Sequence, residues 1–332
     1  MTLSLFKRPD FAATVQAAQA GNPSRGVQEV GRQLLQPAPS LVFSGRGGRG
    51  GMSASVEATL QKGATTYKEL CASCHGADGR GTPIEGTGGG MMAPPLVGSN
   101  RVLGHRDYVI KTLLHGLTGP VDGRNYGVMV PMGANGDDWI ASIASYIRSG
   151  FGTGDWLITP ADVAKVRAAT TGRTASWTLS ELEATIPRAI VADANWKATA
   201  SHNAAAAGGG TNFAGWSSQA PPAAGMWYQL ELPAEALLVE LQFESPTQGG
   251  RGGMPPGDTY PRAYKVQVSV DGREWTEPVA GGKGSGSPTV IAFAPSRGKF
   301  IRISLTESTP EAPAWTMRNI RLLEAPVAAV SR

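Results

Sequence analysis

Cys71-Ala72-Ser73-Cys74-His75 holds both cysteines of this 332-residue chain. Its C-x-x-C-H spacing is that of covalent haem attachment. Two thiols three residues apart on a helical turn can each form a thioether to one haem vinyl, and the histidine that follows is placed to ligate the iron. The same residues admit two other readings, a C-x-x-C redox pair and half of a zinc site. A structural zinc site needs two further ligands at matched spacing, and the sequence has no second Cys/His pair. A thioredoxin-like pair expects βαβ surroundings, whereas the flanking pattern here is helical.

Outward from the motif, Thr65 to His75 reads as a helix with Tyr67, Leu70, Cys71 and Cys74 on one side, and Gly76 and Gly79 release the chain beyond it. Arg106 to Gly116 reads as a second helix with Val109, Ile110, Leu113 and Leu114 inward. A third starts after Asn135-Gly136-Asp137, its stripe formed by Ile140, Ile143, Ala144 and Ile147 at i, i+3, i+4 and i+7. Acidic residues lie in its first turn and Arg148 in its last, which suits the helix dipole. Gly127-Val128-Met129-Val130-Pro131-Met132-Gly133 offers two thioethers as the ligand opposite His75, with His105 and His115 as the remaining alternatives. Histidine plus methionine would close the iron and raise its potential, as a carrier of single electrons requires. Met91 and Met92 read as packing residues.

The C-x-x-C-H run, the M-x-P segment and the I-A-x-x-x-x-Y-I-R helix make residues 56–156 resemble a class I cytochrome c. The resemblance implies an all-α domain with one haem c on Cys71 and Cys74, and His75 and Met129 on the iron (Met132 as the alternative). It also implies that the Pro94 carbonyl accepts from the proximal histidine ring, which orients the ring and raises its basicity. Leu113-Leu114-His115-Gly116-Leu117-Thr118-Gly119-Pro120 and Pro94-Pro95-Leu96-Val97-Gly98-Ser99 are similar to the cytochrome domains attached to periplasmic sugar and alcohol dehydrogenases.

Residues 157–187 read as a helical connector: Thr159-Pro160 is a start signal, Val163, Val166 and Ala169 continue it, and Thr178-Leu179-Ser180-Glu181 is a second start. Beyond them the period becomes two. Tyr228, Leu230 and Leu232 alternate with polar residues, as do Val239, Leu241 and Phe243, then Val266, Val268 and Val270, then Ile301, Ile303 and Leu305. Half-buried strands between Gly/Pro/Asp turns such as Asp271-Gly272 predict an antiparallel β-sandwich. Trp216-Ser217-Ser218, Met226 to Leu232, Tyr264 to Trp275 and Phe300 to Ile303 make residues 188–325 resemble a discoidin (coagulation factor 5/8 type C) domain, closed by a strand from Trp315 to Leu323. That resemblance implies a jelly-roll, with loops at one end that often bind carbohydrate. Trp216, Trp227 and Trp275 then read as anchors of the sandwich. The Thr247-to-Tyr260 loop, with Arg251, Asp258 and Tyr260, reads as the recognition surface for a glycan or partner protein.

The whole is thus a multi-domain chain. It comprises a helical arm or repeat end (1–44), a Gly/Arg linker (45–55), the all-α cytochrome (56–156), the connector, the all-β sandwich (188–325) and a tail (326–332). Glycine at 44 and proline at 24 fit its turns and linkers. A net charge of +4 without aromatic interleaving of the Gly/Arg runs argues against a nucleic-acid partner. No apolar run reaches the roughly 18–20 residues that span a bilayer, so no transmembrane segment is expected and peripheral membrane association stays open. Haem is attached outside the cytoplasm, so the expected place is periplasmic or extracellular, although no export signal is visible. No catalytic constellation stands out, so an electron-transfer protein is the leading expectation. It would be accessory to a periplasmic dehydrogenase or to a respiratory or photosynthetic chain, or a fragment of a dehydrogenase. The rivals are a structural subunit of a membrane-associated complex and a haem enzyme or sensor with an open distal site.

Overall fold

The computed structural model describes residues 54–87, 89–151, 157–192, 194–248, 257–285 and 288–326, together with Gln16, Ala17, Ala20 and Gly21. Apart from those four residues, the expected N-terminal arm lies outside the described residues. So do most of the Gly/Arg linker, Arg251 and the tail beyond Pro326. Two compact units part between Glu183 and Ala184.

In the first unit, α1 (Ala54–Thr66) runs through a π-helical turn (Tyr67–Cys71) into α2 (Ala72–His75). There follow α3 (Asn100–Leu103), α4 (Arg106–His115), α5 (Asp137–Gly150), α6 (Pro160–Ala169) and α7 (Leu179–Glu183). Short strands β1 (Leu117–Thr118), β2 (Pro120–Val121), β3 (Arg124–Asn125) and β4 (Trp177–Thr178) lie among them. Helix α1 starts at Ala54, inside the stretch expected as linker, with Glu57 in its first turn. The expected inward residues of α4 and α5 are all buried, and they form the core with Tyr67, Cys71 and Val163. Gly63 marks where α1 crosses α5. A Cβ there would collide with the Ser142 carbonyl and lie 2.7 Å from the Tyr146 Cβ. This glycine buys close approach of two backbones rather than an unusual φ.

Two expectations in this unit need correction. Leu70 is expected on one side of the helix with Tyr67, Cys71 and Cys74, yet it is 52% exposed while Tyr67 and Cys71 are 2% and 9%. The π turn inserts one residue and rotates the chain about its axis, so a period of 3.6 does not carry through it. The connector is also less helical than its pattern suggests. Thr159 and Asp162 form a reciprocal capping box at the start of α6, and Val163 and Val166 are buried. Ala169 is exposed, however, and Trp177–Thr178 forms a strand parallel to β1.

The second unit is an antiparallel β-sandwich. Its strands are β5 (Arg188–Ala189), β6 (Lys197–Ala200), β7 (Trp216–Ser217), β8 (Trp227–Glu244), β9 (Thr247–Gln248), β10 (Gly257–Asp258), β11 (Tyr264–Ser269), β12 (Ala280–Gly282), β13 (Thr289–Leu305) and β14 (Thr316–Glu324). An eight-stranded sheet has the order β12-β11-β13-β8-β14-β5, with β6 added to β8 and β7 to β14. Strands β8 and β13 are long, and they pair along both halves across register shifts at Ala292/Ser296 and Gly298/Phe300. The first half of β8 pairs with β6 and the second with β14. Shifts of this kind bend a strand and let it serve more than one layer. The two alternating runs expected as separate strands are therefore halves of one strand. Alternation slips between them: Leu238 and Glu240 are buried and Val239 only half-buried. Val270 is 47% exposed, because β11 ends at Ser269, whose hydroxyl accepts from Gly272 N in the turn. Trp216 and Trp315 meet edge to face at 5.1 Å in the core, with Tyr228 5.1 Å from Trp216.

Candidate functional site

The C-x-x-C-H segment is held by its own backbone and by one phenol. Tyr67 Oη donates to the Gly76 carbonyl (2.7 Å), Gly81 N donates to His75 O (2.8 Å) and Thr82 N to Cys74 O (2.9 Å). Gly76, at φ 75°, ends α2 in a conformation that suits glycine, so the chain turns sharply after His75. Leu96 N donates to Gly79 O (2.7 Å), which brings the Ala93-Pro94-Pro95 segment back toward the motif.

Both cysteines are free thiols. Burial pushes the Cys71 thiol up to about 12, with Cys74 adding to the rise. A reactive redox cysteine has the opposite shift. Burial lowers the His75 imidazole, and the Pro94 carbonyl works against it by favouring the protonated ring. Nδ1 of His75 is nonetheless without a hydrogen bond of regular geometry. This donor set fits haem c: two free thiols on one turn, and a half-buried imidazole whose buried, orphaned Nδ1 is near the Pro94 carbonyl. Among the described residues, no three His, Cys, Asp or Glu side chains gather as a metal-ion site.

The two methionines lie on a strap that crosses the end of α4. Met129 exchanges hydrogen bonds with Leu117 (Met129 N to Leu117 O, 2.8 Å; Leu117 N to Met129 O, 3.1 Å), and Met132 N donates to Leu113 O (2.7 Å). Both side chains are half-buried and pack on the core that contains Cys71. The two histidine alternatives have other partners. His105 caps α4 through Nδ1, which accepts from Asp107 N (3.2 Å). His115 Nε2 lies 2.7 Å from Thr170 Oγ1, and its ring stands edge-on to Trp177. Leu70, Ile84, Met92, Val128 and Val130 are the large apolar side chains of this unit exposed among the described residues. They belong to the segments that carry the thiols, the Met91–Met92 loop and the strap.

In the second unit, Trp216 is a core residue, and its Nε1 donates to the carbonyls of His202 and Asn203 (both 3.2 Å). Trp227 and Trp275 instead enclose Arg302, whose guanidinium lies 4.7 Å and 4.0 Å from the two rings and donates to Gln229 Oε1. The base of the Thr247-to-Tyr260 loop is ordered by β9–β10 pairing and by Thr259 Oγ1 donating to Pro246 O (2.7 Å). Arg262, which the sequence did not single out, sits over the Tyr260 ring at 4.2 Å. It donates to Asp258 O through Nη2, while its buried Nη1 has no partner. Phe213 was missed too: it is 67% exposed, and the Arg318 guanidinium lies 4.9 Å from its ring. Its place just after the Gly208-Gly209-Gly210 run was the signal the sequence offered.

Comparison with known proteins agrees with this architecture. Residues 60–151 match the family model for Cytochrome c, and residues 187–320 match that for the F5/8 type C domain. The chain thus carries a cytochrome c domain followed by an F5/8 type C domain, which implies electron transfer by haem c and carbohydrate binding respectively. No curated protein matches the chain. Solved structures similar to part of it include the family 32 carbohydrate-binding module of Clostridium perfringens NanJ in complex with galactose (16% identity, 42% of this chain and 100% of that chain, TM-score 0.33). Chitosan-binding module 1 of a chitosanase/glucanase from Paenibacillus sp. IK-5 is another (22%, 39% and 94%, 0.31). A third is a family 32 module of a family 31 glycoside hydrolase from Clostridium perfringens (16%, 40% and 95%, 0.30). Among the described residues no helix is long and apolar enough to cross a membrane.

Proposed function

We propose that this chain carries single electrons and is held near its partners by the sandwich. Cys71 and Cys74 would hold one haem c through thioethers, and His75 and Met129 would ligate its iron, with Met132 as the alternative to Met129. The haem, when bound, supplies a one-electron centre. The Pro94 carbonyl would accept from the His75 ring, and Tyr67 ties down the turn that follows it through the Gly76 carbonyl. The apolar side chains of Leu70, Ile84, Val128 and Val130 lower the polarity around the motif and the strap, which favours the reduced state. Their exposure also suits brief docking of a redox partner. In the sandwich, the Tyr260 ring, with Arg262 stacked on it and Asp258 beside it, offers a surface to a glycan or partner protein. We place the protein in the periplasm or outside the cell, accessory to a dehydrogenase or to a respiratory or photosynthetic chain; the pairing of a cytochrome c match with a carbohydrate-binding type of domain supports that reading.

The observation that carries this reading is the half-buried imidazole of His75, its Nδ1 buried and unpartnered, on the same helical end as two free thiols. The test is protein matured where haem attachment operates, run on a denaturing gel stained for haem and weighed by mass spectrometry. A stained band with the mass of chain plus one haem is expected, together with a methionine-to-iron absorption band that Met129→Ala removes and Met132→Ala leaves. A colourless product with the mass of the bare chain sinks the proposal.

A further inference from the structure

Residues beyond the end of the cytochrome c match are built into its strap. On α6, Arg167 Nη1 donates to Gly133 O (2.5 Å), Nη2 to Asn135 O (2.8 Å), and Nε lies 2.8 Å from Asp137 Oδ1. A single planar guanidinium therefore holds the segment from Gly133 to the first turn of α5. On the other side of the strap, β4 pairs in parallel with β1, Leu117 opposite Trp177, and Trp177 N donates to Gly116 O (3.1 Å). Leu117 is the residue that exchanges hydrogen bonds with Met129, so it stands between the strap and the appended strand. Gly116 lies where these segments converge. A side chain there would collide with the Met129 carbonyl and stand 3.0 Å from Ser176 Oγ. Thr170 on His115, Asp162 on Arg106 (3.3 Å) and Glu183 on Arg101 (2.6 Å) tie the same appendage to α4 and α3.

We propose that the 157–183 appendage is a clamp for the distal ligand, with Arg167 as its positioning residue. Arg167 does not touch the iron. It fixes the carbonyls behind the methionine and so sets how often that thioether leaves. The inference rests on the methionine-ligated reading above. Its structural basis is that Arg167 anchors the strap directly at Gly133 and Asn135, while Trp177 backs Leu117, the strap's own partner at Met129.

The test uses the full haem-loaded chain with Arg167→Gln, Arg167→Lys and Met129→Ala. Two quantities are read on the oxidised protein: the temperature at which the methionine-to-iron band disappears relative to helix unfolding, and the rate at which added imidazole binds the haem. In the parent, band and helices should be lost together. In Arg167→Gln the band should go at least 10 °C before the helices, and imidazole should bind at least tenfold faster. Arg167→Lys, which keeps the charge and reaches fewer acceptors, should fall between. If Arg167→Gln does not fold, Arg167→Lys alone decides: imidazole binding within twofold of the parent overturns the clamp. An Arg167→Gln protein whose band and imidazole rate match the parent also overturns it. Absence of the band in the parent instead defeats the methionine-ligation reading, a separate result from a band present but indifferent to Arg167.

Discussion

Gly63→Ala sets two opposed effects against each other at the crossing of α1 and α5. In an exposed helix interior, glycine to alanine stabilises by about 1 kcal/mol, because alanine has less backbone freedom to lose. At position 63 the new methyl would meet the Ser142 carbonyl and the Tyr146 Cβ, both fixed to the α5 backbone. The helices must separate, and the contacts loosened include Leu60, Ile143 and Tyr146, each 1% exposed or less. Overpacking of this kind costs about 1–3 kcal/mol or more. Where the clash involves backbone rather than a side-chain tip, the upper part of that range applies, for a net loss of about 1–2 kcal/mol after the propensity gain. In a domain of about 100 residues each kcal/mol moves the melting midpoint by about 4–8 °C. The assay is thermal melting of the haem-loaded protein, followed by far-UV circular dichroism, on the parent, Gly63→Ala and Gly63→Val. A fall of about 5–15 °C for alanine and a larger one for valine is expected. A midpoint raised by Gly63→Ala, as propensity alone would give, refutes the close crossing.

Burial raises the Tyr228 phenol above its ordinary value, and its Oη donates to Ala207 O (2.7 Å). The folded pKa therefore exceeds the unfolded one. The stability it contributes is full below about pH 10 and is lost as pH rises through the folded value. Urea unfolding of the sandwich between pH 8 and pH 11.5 should show that alkaline loss, and Tyr228→Phe should flatten it while costing about 1 kcal/mol at neutral pH. An unchanged alkaline slope in Tyr228→Phe counts against the assignment. Arg302→Ala should destabilise the sandwich by about 1–2 kcal/mol, because it empties the space between Trp227 and Trp275 and leaves Gln229 Oε1 without its donor. A denaturation midpoint equal to the parent's would mean the stack is not a support.

What the sequence could show was set by the range over which each signal acts. The C-x-x-C-H spacing and the thioether strap are local, and so are the stripes of α4 and α5, whose inward residues are all buried. Leu70 went astray because a count at 3.6 residues per turn cannot anticipate a π turn, whose extra residue is paid for by packing elsewhere. Strand β4 is two residues long and exists only because β1 lies beside it, so no periodicity announces it. The same holds for Arg167 and Arg262, which read as ordinary surface cations until the carbonyls and rings they serve are in place. The outward expectation for Glu240 and Gln242 failed as well: both are buried, with Gln242 Nε2 donating to Glu240 Oε1. Alternation describes a strand with one wet face, and a strand that bends between two layers has no such face along its whole length. The long-range partners concentrate around the methionine strap, which has little regular structure of its own. On the proposed methionine ligation, a ligand that must stay bound through a change in oxidation state needs a stiff support, which Arg167 and Leu117 backed by Trp177 would supply. A segment matched as cytochrome by its motif can thus depend, at its least regular point, on chain that the motif does not include.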